Sequence, residues 1–521
     1  MKDLIDGLRS PDAYPHPVVA PVRVAETHIS WVLLTGSFAY KIKKPLRLSF
    51  LDYSTLERRR TCCEEEVRLN RRYAPDLYLG VATIGGTPDA PHIDAAGPAL
   101  EYAVRMRQFE TTEELDALLV ADRIRPADLT ALGTHIAEFH ARAARVDRAQ
   151  SYGLPERVHQ ITLDNFAELR RLPEAGRWTA ALRSLEDWVN ATHGERRALM
   201  SSRREQGHVR ECHGDLHCAN VVRWRGSLTP FDGIEFDPAL RYLDVMNDLA
   251  FLTMDLAERG RPDLRHAVLQ AWAEALGDFG GLPLLPYFET YRALVRAKVA
   301  ALRALQSPAG GAARKSAIDS AARYLDWASM RTRRRSPTLL LTCGLSGSGK
   351  TWLARGIAAE LHALHVRSDV ERKRLAGMAP LEDSRSPPDG GIYTLDFNTR
   401  TYARLLDCAR DALTGRESVI VDAAFLRREE RRSLLALARE LSVRAAVLHC
   451  QAPAEVMRQR VAERGRTRQD PSEAGLDVLA RQSGYWEPFD DAELPHVVTV
   501  DTTSPAAVET TAELVRRSAA A

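Results

Sequence analysis

Cysteine is scarce in this chain: seven among 521 residues, an odd number without regular spacing. That excludes the disulfide framework of a small secreted scaffold and fits a reducing compartment. Long apolar runs are missing too. None approaches the roughly 20 residues that span a bilayer, and the opening MKDLIDGLRSPDAYPHP lacks the apolar core of a secretion signal. A cytoplasmic protein with no membrane partner is expected. An excess of one charge is also absent, with 72 Lys and Arg against 70 Asp and Glu. The net +2 gives no global reason for a nucleic-acid partner. There is no internal repeat, and low complexity is confined to the alanine-rich C-terminus. What remains is an ordinary globular composition, 45% hydrophobic and 27% charged, long enough for two to four domains.

One break organises the chain. The breaker cluster SPAGG (307–311) is followed by a helical pattern to about Met330 and then by the basic run RTRRRSPT (331–338). Such a run cannot bury a core, so the domain boundary is placed near residue 335, dividing the chain into 1–335 and 336–521. Before it, short apolar runs at 31–34 and 39–43 around Gly36 predict a hairpin, and 55–72 reads as a charged helix. Helical spacing recurs over 127–144 and 161–199. A small strand-rich lobe (about 1–105) and a helical lobe (about 106–330) make an α+β bilobal domain. After the break, strands at 338–343, 364–368, 418–422, 444–450 and 496–500 alternate with helices, which predicts an α/β fold with a five-stranded parallel sheet.

The strongest motif lies at 344–351, Gly344-Leu-Ser346-Gly347-Ser348-Gly349-Lys350-Thr351, which fits GxxxxGK[ST] between a predicted strand and helix. Its glycines let backbone N–H groups turn towards phosphate, and the helix N-terminus adds partial positive charge. Lys350 is expected on the β- and γ-phosphates and Thr351 on Mg²⁺. The next strand ends at Asp369, placed to take a proton from an attacking hydroxyl, with Arg372 one turn on to grip an anionic acceptor. The bland alternative is an N-capping Asp369 on a solvated basic helix. Asp422, ending the third strand, is a second carboxylate at the same sheet edge, for Mg²⁺ through water or for substrate. Arg458, Arg460, Arg464, Arg466 and Arg468 crowd one segment that is either a solvated face or a lid over the phosphates; Arg464 and Arg466 flank Gly465 and are the better lid candidates.

On these residues, 338–521 resembles the small P-loop kinases: the gluconate and shikimate kinase group, zeta-toxin-type kinases and polynucleotide 5′-kinases, whose base-and-arginine pair Asp369 and Arg372 are similar to. The resemblance implies an ATP-dependent hydroxyl kinase and leaves the acceptor open.

The first domain carries Cys212-His213-Gly214-Asp215-Leu216-His217-Cys218-Ala219-Asn220. Zinc is disfavoured, because four ligands packed in seven residues do not easily reach one tetrahedral ion. The other reading is a phosphotransfer loop: Asp215 as base and Asn220, five residues on, as metal ligand. A metal-holding acid should follow on the next hairpin, where Asp232 and Glu235 compete. HGDxHxxN resembles the catalytic loop of aminoglycoside phosphotransferases and their choline-kinase-like relatives, with a protein-kinase-like fold. The resemblance implies Asp215 as base, Asn220 and Asp232 on magnesium, and His213 and His217 as structural. It implies a phosphate-binding lysine at Lys41, with Lys43 on the same strand face, and a partner acid at Glu66, near Glu64 and Glu65. The alternative for these lysines is a solvated strand edge. No GxGxxG loop is present; Thr35-Gly36-Ser37 is a short substitute. The whole chain resembles bifunctional aminoglycoside-phosphotransferase-like/ATP-binding proteins.

His135 and His140, five apart on a helix, should face different ways. YRALVRAKV (291–299) reads as an amphipathic helix with a solvated basic side, and Trp178 and Trp188 as core. Three functions are carried forward: a phosphotransferase with two Mg·ATP sites; a P-loop kinase regulated by a kinase-like binding module; and a kinase of RNA or DNA ends contacted by arginines 331–335 and the lid. ATP and Mg²⁺ are the expected cofactors.

Overall fold

The computed structural model describes every residue except 49–50, 309, 334–335, 388–389, 468–469 and 521, so Arg334, Arg335 and Arg468 lie outside the described residues. The chain forms two compact units, residues 1–169 with 197–259, and residues 170–196 with 260–521.

In the first unit, β1 (Arg23–Glu26), β2 (Ser30–Leu34), β3 (Phe38–Lys43), β4 (Tyr78–Thr87), β5 (Ala90–Ile93) and β6 (Glu101–Arg107) form an antiparallel sheet ordered β1-β2-β3-β6-β4-β5. The expected hairpin is β2–β3, with Leu34 opposite Ala39. Strand period two sends Tyr40 and Ile42 into a core with Leu33, Ala82 and Ile84. Ala39 joins a second cluster on the other face with Cys63 and Val67 of α1 (Leu56–Asn70). Lys41 and Lys43 share the face of Ala39 and therefore look towards α1. That helix starts where the sequence predicts, because the Thr55 hydroxyl accepts the Arg58 N–H.

The helical part of this unit contains α2 (Pro126–Arg142), the hairpin β7 (Val221–Trp224) and β8 (Ser227–Pro230), and α3 (Val245–Glu258). The predicted helical stretch over 161–199 is instead two helices, Pro155–Arg170 and Thr179–Glu205, separated by the 3₁₀ turn Pro173–Trp178. Pro173 lacks the N–H that a continuous helix would need there.

The second unit holds α4 (Pro262–Leu276), α5 (Leu285–Gln306) and α6 (Ala312–Thr332), followed by β9 (Thr338–Cys343), β10 (Leu364–Arg367), β11 (Val419–Asp422), β12 (Arg444–Gln451) and β13 (Val497–Asp501). The five strands are parallel and ordered β10-β11-β9-β12-β13, each within a residue of its predicted bounds. Leu339, Leu340 and Leu341 are buried in succession, as both faces of a covered parallel sheet require. The covering helices are α7 (Lys350–Leu361), α8 (Ser368–Leu375), α9 (Leu395–Thr414), α10 (Arg428–Glu440), α11 (Ala454–Thr467), α12 (Leu476–Tyr485) and α13 (Ala507–Ala520).

Single arginines of the run read as linker and of the helix face read as solvated are drawn into the protein. Arg331, in the run 331–338, pairs with Glu289 at 2.6 Å and Glu417 at 2.9 Å. Arg265 of α4 completes the cluster, 2.7 Å from Glu417 and 3.0 Å from Glu289. Arg292 of α5 is buried as well. Helices α4 to α6 thus pack with the parallel sheet, and a charge that looked like linker is a core contact. Burial opposes ionisation of Glu417, but the two guanidinium groups outweigh it and hold its carboxyl below the usual range. Glu417→Ala would leave Arg265 and Arg331 sharing Glu289 alone, and should cost about 3–5 kcal/mol in urea-induced unfolding of the full chain.

Candidate active sites

In the first unit, three distant segments meet around two buried lysines. Lys41 Nζ donates to Glu66 Oε1 at 2.9 Å and also to Asp232. Lys43 Nζ donates to Glu66 Oε2 at 2.6 Å and to Glu235, which also accepts the Tyr53 hydroxyl. Neither lysine is on a solvated edge: Lys43 is wholly buried and Lys41 is 9% exposed. Glu64 and Glu65 lie outside this cluster, paired with Arg60 and with Arg68 and Arg241. Lys44 is also apart from it, on Glu26. Burial disfavours both ammonium charges, yet Asp232 and Glu66 raise Lys41, and Glu235 and Glu66 raise Lys43, so both stay charged. Glu66, desolvated but held by both lysines, is brought down to about 2.

The catalytic-type loop is buried at its base and open at its tip. His213, Cys212 and Cys218 are buried, whereas the Asp215 side chain is 35% exposed and that of Asp232 40%. Asn220 Nδ2 donates to the Asp215 carbonyl and to Asp215 Oδ2, both at 2.9 Å. Asp232 adopts φ +61°, a conformation uncommon for a non-glycine residue. The Tyr78 hydroxyl accepts its N–H at 3.0 Å and Asn70 Oδ1 accepts the next N–H, of Gly233, at 2.8 Å. Glu235 is taken up by Lys43 and Tyr53, which leaves Asp232 the more open of the two acids. The short turn at Gly36 (φ +99°) is tied by its N–H to Gln108 Oε1 at 2.8 Å.

One residue of this site went unread in the sequence. Asp248, wholly buried on α3, accepts the N–H groups of His213 at 3.1 Å and Gly214 at 2.8 Å, and bonds His140 Nε2 at 3.0 Å. Burial works against its charge, but His140 and the loop amides bring its carboxyl to about 2. Ligand atoms of His140, Cys212 and Asp248 lie within 4.8 Å of one another. The available signal was an acid inside the apolar run VMNDLAFL (245–252). His135, as expected, faces elsewhere, towards the Tyr73 ring.

In the second unit the glycine-rich turn joins β9 to α7. Gly349 has φ +84°, and a Cβ there would come within 2.7 Å of the Thr502 hydroxyl, so the turn admits no larger residue. Lys350 Nζ folds back onto the Leu345 carbonyl at 2.8 Å, and Ser346 N–H is taken by Gln482 Oε1 of α12 at 2.7 Å. Burial lowers the Lys350 pKa, partly offset by Asp422 and Asp369 and reinforced by Arg464. Asp422 is buried too. Desolvation would raise its carboxyl, but bonds from His365 and Thr351 and the Lys350 charge bring it to about 2. A cavity of about 620 Å³ adjoins the turn, lined in part by Leu345, Ser348, His449, Met457 and Trp486.

The other predicted residues of this half are placed less uniformly. Asp369 sits half-buried in the first turn of α8. Arg372 is buried, donating Nη1 to the Ile392 carbonyl at 2.8 Å and Asn398 Oδ1 at 2.6 Å, with its guanidinium over the Tyr393 ring. It braces 391–398. Arg464 donates to the Ala474 carbonyl at 2.7 Å, Arg460 to the Gly347 carbonyl at 3.3 Å, and Arg466 is exposed.

An uncharacterised Mycobacterium tuberculosis protein, Rv2004c, is 30% identical to this chain over 476 residues, covering 91% of the chain and 93% of its own length. The chain belongs to its family. The Mycobacterium bovis protein Mb2027c matches equally. A family model described as an AAA domain (AAA_33) matches residues 339–489, the stretch from β9 through α12. Among solved structures, a sugar kinase from Janibacter sp. HTCC2649 is 20% identical and covers 36% of this chain and 98% of its own, at TM-score 0.28. A choline/ethanolamine kinase family protein from Mesorhizobium loti is 12% identical and covers 63% of this chain and 99% of its own, at TM-score 0.35. The AAA-domain match spans the GxxxxGK[ST] turn between β9 and α7, the context in which that motif holds nucleotide phosphates. Among the described residues no helix is long and apolar enough to cross a membrane.

Glu66 gives the first site a pH signature. Its folded pKa of about 2 lies below its ordinary 4.5, so its contribution to stability is complete above the unfolded value and is lost as pH falls towards 2. In urea unfolding followed against pH, the natural chain should weaken steadily below about 4.5, and Glu66→Gln should flatten that limb while lowering stability at neutral pH.

Proposed function

We propose that the chain carries two separate Mg·ATP sites, each moving a γ-phosphoryl group to the hydroxyl of a small-molecule acceptor. The observation that carries this reading is the presence, in each half, of a lysine in the field of carboxylates and of an aspartate open enough to meet an acceptor: Lys41 and Asp215 in one, Lys350 and Asp369 in the other.

In the first site the Lys41 ammonium, fixed by Glu66, is aimed to hold nucleotide phosphate oxygens. Asp215 receives the acceptor proton, its carboxylate oriented by Asn220 Nδ2. In the second, the backbone of the glycine-rich turn and Lys350 hold the phosphates once the Ser346 N–H is released by Gln482, Asp369 receives the proton, and Arg464 and Arg466 close from the lid. Both sites offer the hard oxygen donors that Mg²⁺ takes: Asn220 and Asp232 in one, with Glu235 engaged by lysine; the Thr351 hydroxyl and Asp422 in the other. Bound Mg²⁺ neutralises charge on the phosphoryl oxygens during transfer. By this reading the functional division stands near residue 335, even though α4 to α6 pack with the second unit. Arg331, sequestered by Glu289 and Glu417, supports a small-molecule acceptor over a nucleic-acid end.

Two substitutions test the reading. With γ-labelled ATP and a metabolite extract as acceptor source, Asp215→Asn should abolish one set of labelled products and Lys350→Ala the other, each by about 10²–10³-fold. If both variants lose the same products, or neither loses any, two independent sites do not exist.

A further inference from the structure

The carboxylate deepest in the P-loop site, Asp422, is held by His365, and His365 is itself held from outside the sheet. β10 is an edge strand whose one neighbour in the sheet is β11. On its free side stands Gln270 of α4. The Gln270 Oε1 accepts the His365 N–H at 2.8 Å, and Gln270 Nε2 donates to the His365 carbonyl at 3.0 Å. A carboxamide carries one acceptor and a donor group side by side, as a peptide unit does. Gln270 therefore stands where the next strand would be. With its backbone fixed on both sides, the buried His365 imidazole places Nε2 3.2 Å from Asp422 Oδ2, while the Thr342 hydroxyl lies 3.2 Å from Oδ1. Both Asp422 oxygens are thus oriented, and one of the two orienting groups is fixed by α4.

The same segment reaches the helix that carries Asp369. Arg374 of α8 donates to the Glu274 carbonyl at the end of α4, and Arg404 of α9 donates to the Gly277 carbonyl at 2.8 Å. Arg404 also bonds Glu371 of α8 at 2.9 Å. Bonds from β10, α8 and α9 therefore converge on residues 270–277, upstream of the boundary at 335.

We propose that Gln270 is a positioning residue of the P-loop site: through His365 it fixes the Asp422 carboxylate for the divalent cation shared with Thr351. This rests on the Mg·ATP reading of the P-loop given above. Helix α4, part of the second compact unit, is then a working part of the P-loop kinase.

The test uses the full chain in an Asp232→Asn background, which removes the first site's metal-binding acid. Mn²⁺ is the probe, its free signal read by electron paramagnetic resonance in the presence of a non-hydrolysable ATP analogue. Gln270→Met, of similar size but without the carboxamide, should weaken Mn²⁺ binding about 10-fold. Combined with His365→Ala it should add nothing to the loss from His365→Ala alone, since both act through one contact. Arg416→Ala supplies the contrast. It deletes bonds to the carbonyls of Arg331, Thr332 and Arg333 at 3.1, 2.9 and 3.0 Å, and should lower the melting temperature while leaving Mn²⁺ affinity unchanged. Unchanged Mn²⁺ affinity in Gln270→Met, an additive double variant, or equal loss in Arg416→Ala overturns the positioning role. Thr351→Ala keeps the two readings apart: if it leaves Mn²⁺ binding intact in this background, the P-loop metal site itself is wrong and this inference falls with it.

Discussion

A lysine taken out of water keeps its proton only where carboxylates answer its charge. The arrangement around Lys41 and Lys43 follows from that demand. Desolvating an ammonium group costs several kcal/mol, and an uncompensated one would give up its charge. Glu66 compensates both, with one oxygen to each lysine. It can do so because strand alternation puts the two lysines on one face of β3 and because α1 runs across that face. Asp232 and Glu235 then balance what a single carboxylate cannot. The result is a cluster in which no member can be removed without exposing the charge of another.

The same economy of buried charge holds the backbone. Asp248 accepts two consecutive amides of the catalytic-type loop and is itself kept ionised by them and by His140. Asp255 accepts the Cys218 N–H at 3.0 Å on the far side of the same loop. The loop between these two acids is fixed at its base, and Asp215 stands at its open tip. Tyr78 and Asn70 do for the Asp232 turn what these acids do for the loop. Groups that react need a preset orientation, since reorganising them in the transition state would raise the barrier.

In the second unit the balance of charge reaches across segments that the sequence separates. Glu417 lies two residues before β11, yet its partners come from α4 and α6. Phosphate turn, sheet edge and upstream helices are therefore one packed body, and β10 needs no further strand because a helix side chain occupies its edge. An exposed strand edge invites unwanted pairing; here the carboxamide of Gln270 takes up the free-edge N–H and carbonyl of His365.

The local sequence by itself determined the elements whose signals are short-range. The phosphate turn needs glycines at fixed spacing, the parallel strands need unbroken apolar runs, and the capped helix at Thr55 needs one hydroxyl before a helical pattern; each is written in adjacent residues. HGDxHxxN likewise marked Asp215 and Asn220, because the loop that holds them is local. Tertiary structure decided what depends on burial. It separated Glu66 from Glu64 and Glu65, left Asp232 open and Glu235 engaged, turned Arg331 from linker into core, and set Arg372 against Tyr393 and Asn398. It also revealed Asp248 and the hold of Gln270 on His365, contacts that span 34 or more residues. A charged side chain reads the same in sequence whether it faces water or an opposite charge in the interior, and only the fold, by removing the water, gives the two cases different energies.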